Sequence, residues 1–106
     1  MLSEIQRCFR NGKVLYTRHA REEMRTEEFG RIMEEEVFEA VMMDEVIEKY
    51  GDDKPYPSVL IYGRAQNERP LHVVCAYSGE DDLAIVITAY PPDPNVWIDF
   101  KRRRGK

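Results

Sequence analysis

The sequence is short of the residues that most small enzymes and metal proteins lean on. It has only two cysteines, two histidines and one tryptophan in 106 residues. Cys8 and Cys75 lie far apart and belong to no CxxC pair, and Cys75 sits in an apolar run where a free thiol acts as a small hydrophobe. Taken with His19 and His72, their spacing matches no zinc pattern in which ligands arrive in close pairs, so neither a metal nor another cofactor is expected. There is no phosphate-binding glycine loop, no HExxH, no GxSxG and no dinucleotide fingerprint. No apolar run approaches the length that spans a bilayer. The opening MLSEIQRCFRNGK mixes acids and bases and lacks the apolar centre of a signal peptide. Cytoplasmic residence without membrane association is therefore the expectation.

What is present is ordinary for one globular domain. Hydrophobic residues make up 42% and charged residues 34% of the chain, and residues 1–106 are read as a single domain. The net charge of −4 is unevenly placed. Residues 1–53 hold 14 acids against 8 bases, and residues 54–106 hold 6 acids against 8 bases. Overall acidity argues against a protein that coats nucleic acid. The basic run KRRRGK, residues 101–106, still leaves one edge able to meet phosphate.

The pattern predicts helices first and strands afterwards. LSEIQRCFR spaces Leu2, Ile5, Cys8 and Phe9 as one helical stripe, and Asn11-Gly12 then turns the chain. Val14 to Tyr16 is a short extended piece. Thr17 is a candidate N-cap for a helix over Arg18 to Glu28, ended at Gly30. A third helix, Glu34 to Met43, opens on three glutamates at its favourable end. From there the period shortens. Strands are expected at Glu45–Tyr50, Ser58–Ala65, Leu71–Tyr77 and Leu83–Tyr90, separated by turns rich in Gly, Pro, Asp and Asn. Pro91, Pro92 and Pro94 stop the last strand. Trp97, Ile98 and Phe100 are expected to anchor the segment beyond, with the basic end hanging free. The fold class is α+β: two or three N-terminal helices packed on one face of a four-stranded antiparallel sheet.

The hairpin LHVVCAY–SGEDD–LAIVITAY organises this plan. A regular loop centred near Glu80 sets His72 opposite Thr88, with Tyr90 diagonal to His72 on the same face. A matching turn at QNERP sets Arg64 opposite His72.

RHAREEM, EEEVFEAV, EVIEKYGDDKPYPSVLIYGR, RPLHVV and VITAYPPDP run in the order seen in the family known as domain of unknown function 4258, and the chain resembles it over residues 16–94. That resemblance implies a compact fold like RelE-type toxins and related small ribonucleases. It also implies metal-independent RNA cleavage, at the ribosome, by the toxin of a toxin–antitoxin pair held inactive by a small antitoxin protein.

The residues can be fitted to that chemistry. Cleavage without a metal needs a base for the 2′-hydroxyl, a cation for the phosphorane charge and an acid for the departing 5′-oxygen. His19 and His72 are candidates for proton transfer, Arg64 for the phosphate and Tyr90 for proton donation. Thr88, Lys101, Arg102 and Arg103 are candidates for substrate binding. Each has a plainer reading. His72 in an apolar strand also fits a structural histidine bonded to backbone, and Arg64 beside a turn fits a solvated residue. The competing function is a non-catalytic module that binds a protein partner or a second copy of itself.

Overall fold

The structure is a computed structural model that describes residues 1–43 and 45–105. Its elements are α1 (Leu2–Arg10), β1 (Val14–Tyr16), α2 (Arg18–Arg25), α3 (Glu34–Val41), β2 (Val46–Tyr50), β3 (Ser58–Arg64), β4 (Pro70–Ser78), β5 (Leu83–Tyr90), β6 (Trp97–Ile98) and β7 (Arg102–Arg103). The fold is α+β: three helices pack against a five-stranded mixed sheet of order β1-β5-β4-β3-β2. Alternate strand residues build the core. Val59, Ile61, Leu71, Val73, Cys75, Ala84 and Val86 meet Ile5, Phe9, Ala20, Met24, Val37, Ala40 and Val41 from the helices. α3 lies so close on β3 that a Cβ at Gly63 would sit 2.1 Å from the Ala40 carbonyl oxygen.

Four features differ from the sequence expectation. The extended piece Val14–Tyr16 is a fifth strand, parallel to β5, with Tyr16 paired to Val86. Three residues are too few to reveal a strand by their period, and the pairing is non-local. α2 stops at Arg25, three residues early, where Thr26 folds its hydroxyl back onto the Glu22 carbonyl at 2.8 Å. Gly30 takes its left-handed φ of 112° in the loop that follows.

The registers also shift. His72 pairs with Tyr90, not Thr88, because the loop closes with Ser78 on Leu83, one residue off the regular register, and a bulge between Val74 and Cys75 absorbs one further residue of β5. Tyr62, not Arg64, faces His72, and Arg64 faces Pro70. The QNERP turn closes one position earlier than a regular reading allows: Ala65 donates to the Arg69 carbonyl, and Glu68 takes φ 69°.

Lastly, the basic end is folded as far as it is described. β6 and β7 pair as a small hairpin, Trp97 with Arg103 and Ile98 with Arg102. This strap lies over the sheet face opposite the helices, so β3 is buried on both faces from Ser58 to Gly63. Among the described residues, no helix is long and apolar enough to cross a membrane.

Candidate functional site at the free edge of β5

β4 directs His72 away from the helices, into a row of rings running across three strands. Tyr62 on β3 and Tyr90 on β5 flank it edge-on, with ring centres 6.1 and 5.4 Å away. Trp97 of the strap closes the top at 4.5 Å. The imidazole is fully buried. Its Nε2 lies 2.5 Å from the Phe100 carbonyl oxygen and its Nδ1 lies 3.3 Å from the Tyr90 hydroxyl. A carbonyl can only accept, so Nε2 carries the proton and Nδ1 accepts from the phenol. Burial pushes the His72 pKa down, against the bond to Phe100 and the charge of Glu48. The ring is neutral and fully satisfied.

The strap is held by charges that the sequence scatters. The Arg103 guanidinium reaches both oxygens of Glu48, at 2.8 and 3.1 Å, and stacks 4.6 Å above the Trp97 ring. Glu48 also accepts from the Tyr50 hydroxyl at 2.5 Å. The bond to Arg103 holds the Glu48 carboxyl below its usual range, although burial opposes this. Lys101 pairs with Glu45 at 3.2 Å and lies over the Tyr62 ring.

A second group of polar residues gathers where β1 ends. Among the described residues, no strand pairs with the outer edge of β5 beyond Tyr16, and α2 turns along that edge instead. Thr17 fixes the turn: its hydroxyl accepts from Ala20 N at 3.1 Å and donates to the Ile87 carbonyl at 3.1 Å. Ala20 and Met24 face the core, which leaves His19 and Glu23 side by side on the flank next to β5. Glu23 accepts the otherwise unpaired N–H of Ala89 at 3.0 Å and the hydroxyl of Thr88, while His19 Nε2 lies 4.0 Å from the same carboxylate oxygen. His19 is 71% exposed. Tyr90, two residues on from Thr88, is half-buried. Burial raises its pKa, the positive charge of Arg103 works against that rise, and the negative charges of Glu23 and Glu48 add to it.

The expected site residues therefore divide. His19, Thr88 and Tyr90 gather around Glu23 at the edge of β5, and Tyr90 alone links that group to the buried His72. Arg64 is apart from both groups: it donates to the Glu68 carbonyl at 3.1 Å and lies over the Phe100 ring. Arg103 and Lys101 are engaged in holding the strap, and Arg102 is exposed on it. Sequence reasoning passed over Glu23 and Glu48. Glu23 carried a usable signal, one helical turn after His19. Glu48 carried none, since its partner lies 55 residues away. Among the described residues, no three His, Cys, Asp or Glu side chains converge as a metal-binding set.

A family model described as a domain of unknown function, DUF4258, matches residues 16–91. No curated protein and no solved structure matches the chain.

Proposed function

The chain belongs to the DUF4258 family, and from its own geometry we propose a metal-independent ribonuclease of the small-toxin kind, acting at the free edge of β5. The observation that carries this reading is the exposed His19 beside a Glu23 carboxylate that also binds Thr88, with the Tyr90 phenol next along the strand. His19 takes the proton of a ribose 2′-hydroxyl, the 2′-oxygen bonds to the adjacent phosphorus, and the P–O5′ bond breaks. Tyr90, kept protonated by its raised pKa, turns its O–H from His72 Nδ1 to the departing 5′-oxygen and gives it the proton. The products are a 2′,3′-cyclic phosphate and a 5′-hydroxyl. Arg103 stands where it counters the phenolate that Tyr90 becomes. The exposed Arg102 of the strap offers positive charge to the RNA backbone. Kinship with RelE-type toxins, action at the ribosome and control by a small antitoxin belong to the same proposal.

The test is incubation of purified protein with labelled single-stranded RNA in the presence of a metal chelator. Cleavage with a cyclic phosphate end is expected, reduced roughly 100-fold or more in His19→Ala and in Tyr90→Phe. Absence of cleavage, or cleavage indifferent to both substitutions, overturns the reading.

One observation favours a second reading. His72 is sealed beneath Trp97 with both ring nitrogens occupied, which is how a structural histidine is kept. With the net acidity of the chain, this supports a module that binds a protein partner or a second copy of itself without catalysis. Light scattering that gives twice the monomer mass, with no RNA cleavage, would select self-association.

A further inference from the structure

The opposite flank of α2 faces a cavity that the edge of β5 does not explain. It has a volume of about 420 Å³, the size of a small-ligand site. Its apolar wall is Tyr16, Met24 and Ile32, and its rim carries Arg21, Arg25 and Arg31 opposite Glu34 and Glu35. Tyr16 is 8% exposed, and no hydrogen-bond partner within the protein takes up its hydroxyl among the described residues. Among the described residues every fully buried side-chain polar atom has a partner, so this phenol oxygen is not sealed in the core, and Tyr16 lines the cavity. Arg21 lies over the Tyr16 ring at 5.3 Å and pairs with Glu34 at 3.2 Å, with both side chains 60% exposed. Arg25 pairs with Glu22 on its own helix. Arg31 has no carboxylate partner among the described residues, and its backbone is pinned because its carbonyl accepts from Arg69 at 3.2 Å.

A mixed rim of this kind fits a ligand that is anionic at one end, flat and apolar in the middle, and a hydrogen-bond donor at the other. An inorganic anion would be repelled by the two glutamates, and an apolar ligand would leave Arg31 without a partner. We propose that this cavity binds one nucleotide. The phosphate lies among Arg21, Arg25 and Arg31. The base rests on the wall of Tyr16 and Met24, and its amino or imino N–H groups donate to Glu34 or Glu35. Guanidinium groups recognise phosphate oxygens in pairs, and a carboxylate accepts from the Watson–Crick edge of a base that presents donors. Guanine offers two adjacent donors there, N1–H and the N2 amino group, where uracil offers only N3–H, so guanine is preferred over uracil. The ligand is either a free mononucleotide or one residue of a single-stranded RNA crossing α2. In the second case the site adds a subsite to the proposed ribonuclease, on the flank of α2 opposite His19.

The test is calorimetric titration of the full chain with guanosine 5′-monophosphate, uridine 5′-monophosphate, inorganic phosphate and a 2′-O-methyl RNA octamer. The octamer lacks the nucleophilic hydroxyl, so it reports binding whether or not the protein cleaves RNA. Binding of guanosine monophosphate, of the octamer or of both is expected. Octamer binding alone identifies the strand, and equal mononucleotide binding identifies the free ligand. Arg31→Ala should weaken it at least tenfold, Arg31→Lys less, and Tyr16→Phe about threefold, with thermal melting unchanged in the exposed Arg31 variants. No binding at millimolar ligand, inorganic phosphate bound as tightly as the nucleotide, or indifference to Arg31→Ala would each overturn the proposal. Loss of cleavage in His19→Ala has no bearing on it.

Discussion

His72 Nε2 donates to the Phe100 carbonyl across 2.5 Å, so the only histidine in the sheet is tied to the tightest turn of the strap. Asp99 and Phe100 both take left-handed φ values, 52° and 64°, which cost a residue with a side chain about 1 kcal/mol each. The bond from His72, the stacking of Phe100 on Tyr62 at 6.3 Å and the Arg64 guanidinium above the ring offset that cost. His72→Ala leaves the Tyr90 hydroxyl and the Phe100 carbonyl without partners and opens a void beneath Trp97. A loss of about 3 kcal/mol in urea-unfolding free energy is expected. A loss below about 1 kcal/mol would show that the strap is not held through this ring.

The same histidine makes stability depend on pH. Burial depresses its pKa below the ordinary 6.5, so the folded chain keeps it neutral while the unfolded chain takes up a proton near that pH. The contribution is fully present above pH 6.5 and is lost as the pH falls through and below it, at up to about 1.4 kcal/mol per pH unit. The carboxyls of Glu36, Glu48 and Asp82 are held below their usual range, so their contributions are lost only at lower pH. Urea midpoints measured at pH 7.5, 6.5 and 5.5 should fall for the parent chain. They should stay nearly level for His72→Gln, whose amide can make both hydrogen bonds without titrating.

Much of this arrangement was legible in the sequence, and the remainder failed for identifiable reasons. Thr17 was readable as a helix cap because capping is a local matter of one hydroxyl and one N–H. β3, β4 and β5 were readable because each holds a run of four or more apolar residues, and β2 because the helical period lapses there before the turn at Gly51. Register was not, because the closing pair Ser78–Leu83, one bulge after Val74 and one left-handed residue at Glu68 each displace the cross-strand partners, and none leaves a mark on the apolar pattern. That is why Thr88 and Arg64 were expected beside His72 and lie elsewhere. The folded strap was illegible for a different reason. KRRRGK reads as a solvated tail until Glu48 and Glu45, far away in sequence, are brought beneath it.

Gly63 is the position where helix and sheet approach most closely. A Cβ there would overlap the carbonyl oxygen, carbonyl carbon and Cα of Ala40, at 2.1, 2.7 and 2.7 Å. These are backbone atoms of α3 and cannot swing aside, so the helix must lift from β3. Gly63→Ala should destabilise the fold by roughly 3 kcal/mol or more. Gly51→Ala, where a Cβ meets nothing within 4 Å, is the matched control and should cost well under 1 kcal/mol. Thermal melting of the two variants side by side decides the matter.

Glu23 has a structural duty and a proposed chemical one, and two substitutions separate them. Its Oε1 accepts from Ala89 N and from the Thr88 hydroxyl, both on the unpaired edge of β5. Glu23→Ala strands that N–H and hydroxyl and should cost about 1–2 kcal/mol. Glu23→Gln keeps an acceptor oxygen in the same place and should hold stability to within about 0.5 kcal/mol. It removes the negative charge beside His19 and Tyr90, however. With the carboxylate gone, the Tyr90 phenol loses one of the charges that keep its proton on. If the edge of β5 cleaves RNA, Glu23→Gln should fold like the parent, and the alkaline limb of its pH–rate profile, set by Tyr90, should move towards lower pH. If Glu23→Gln instead matches the parent in both stability and pH profile, the carboxylate serves the fold alone, as a cap on a strand edge that no neighbour pairs.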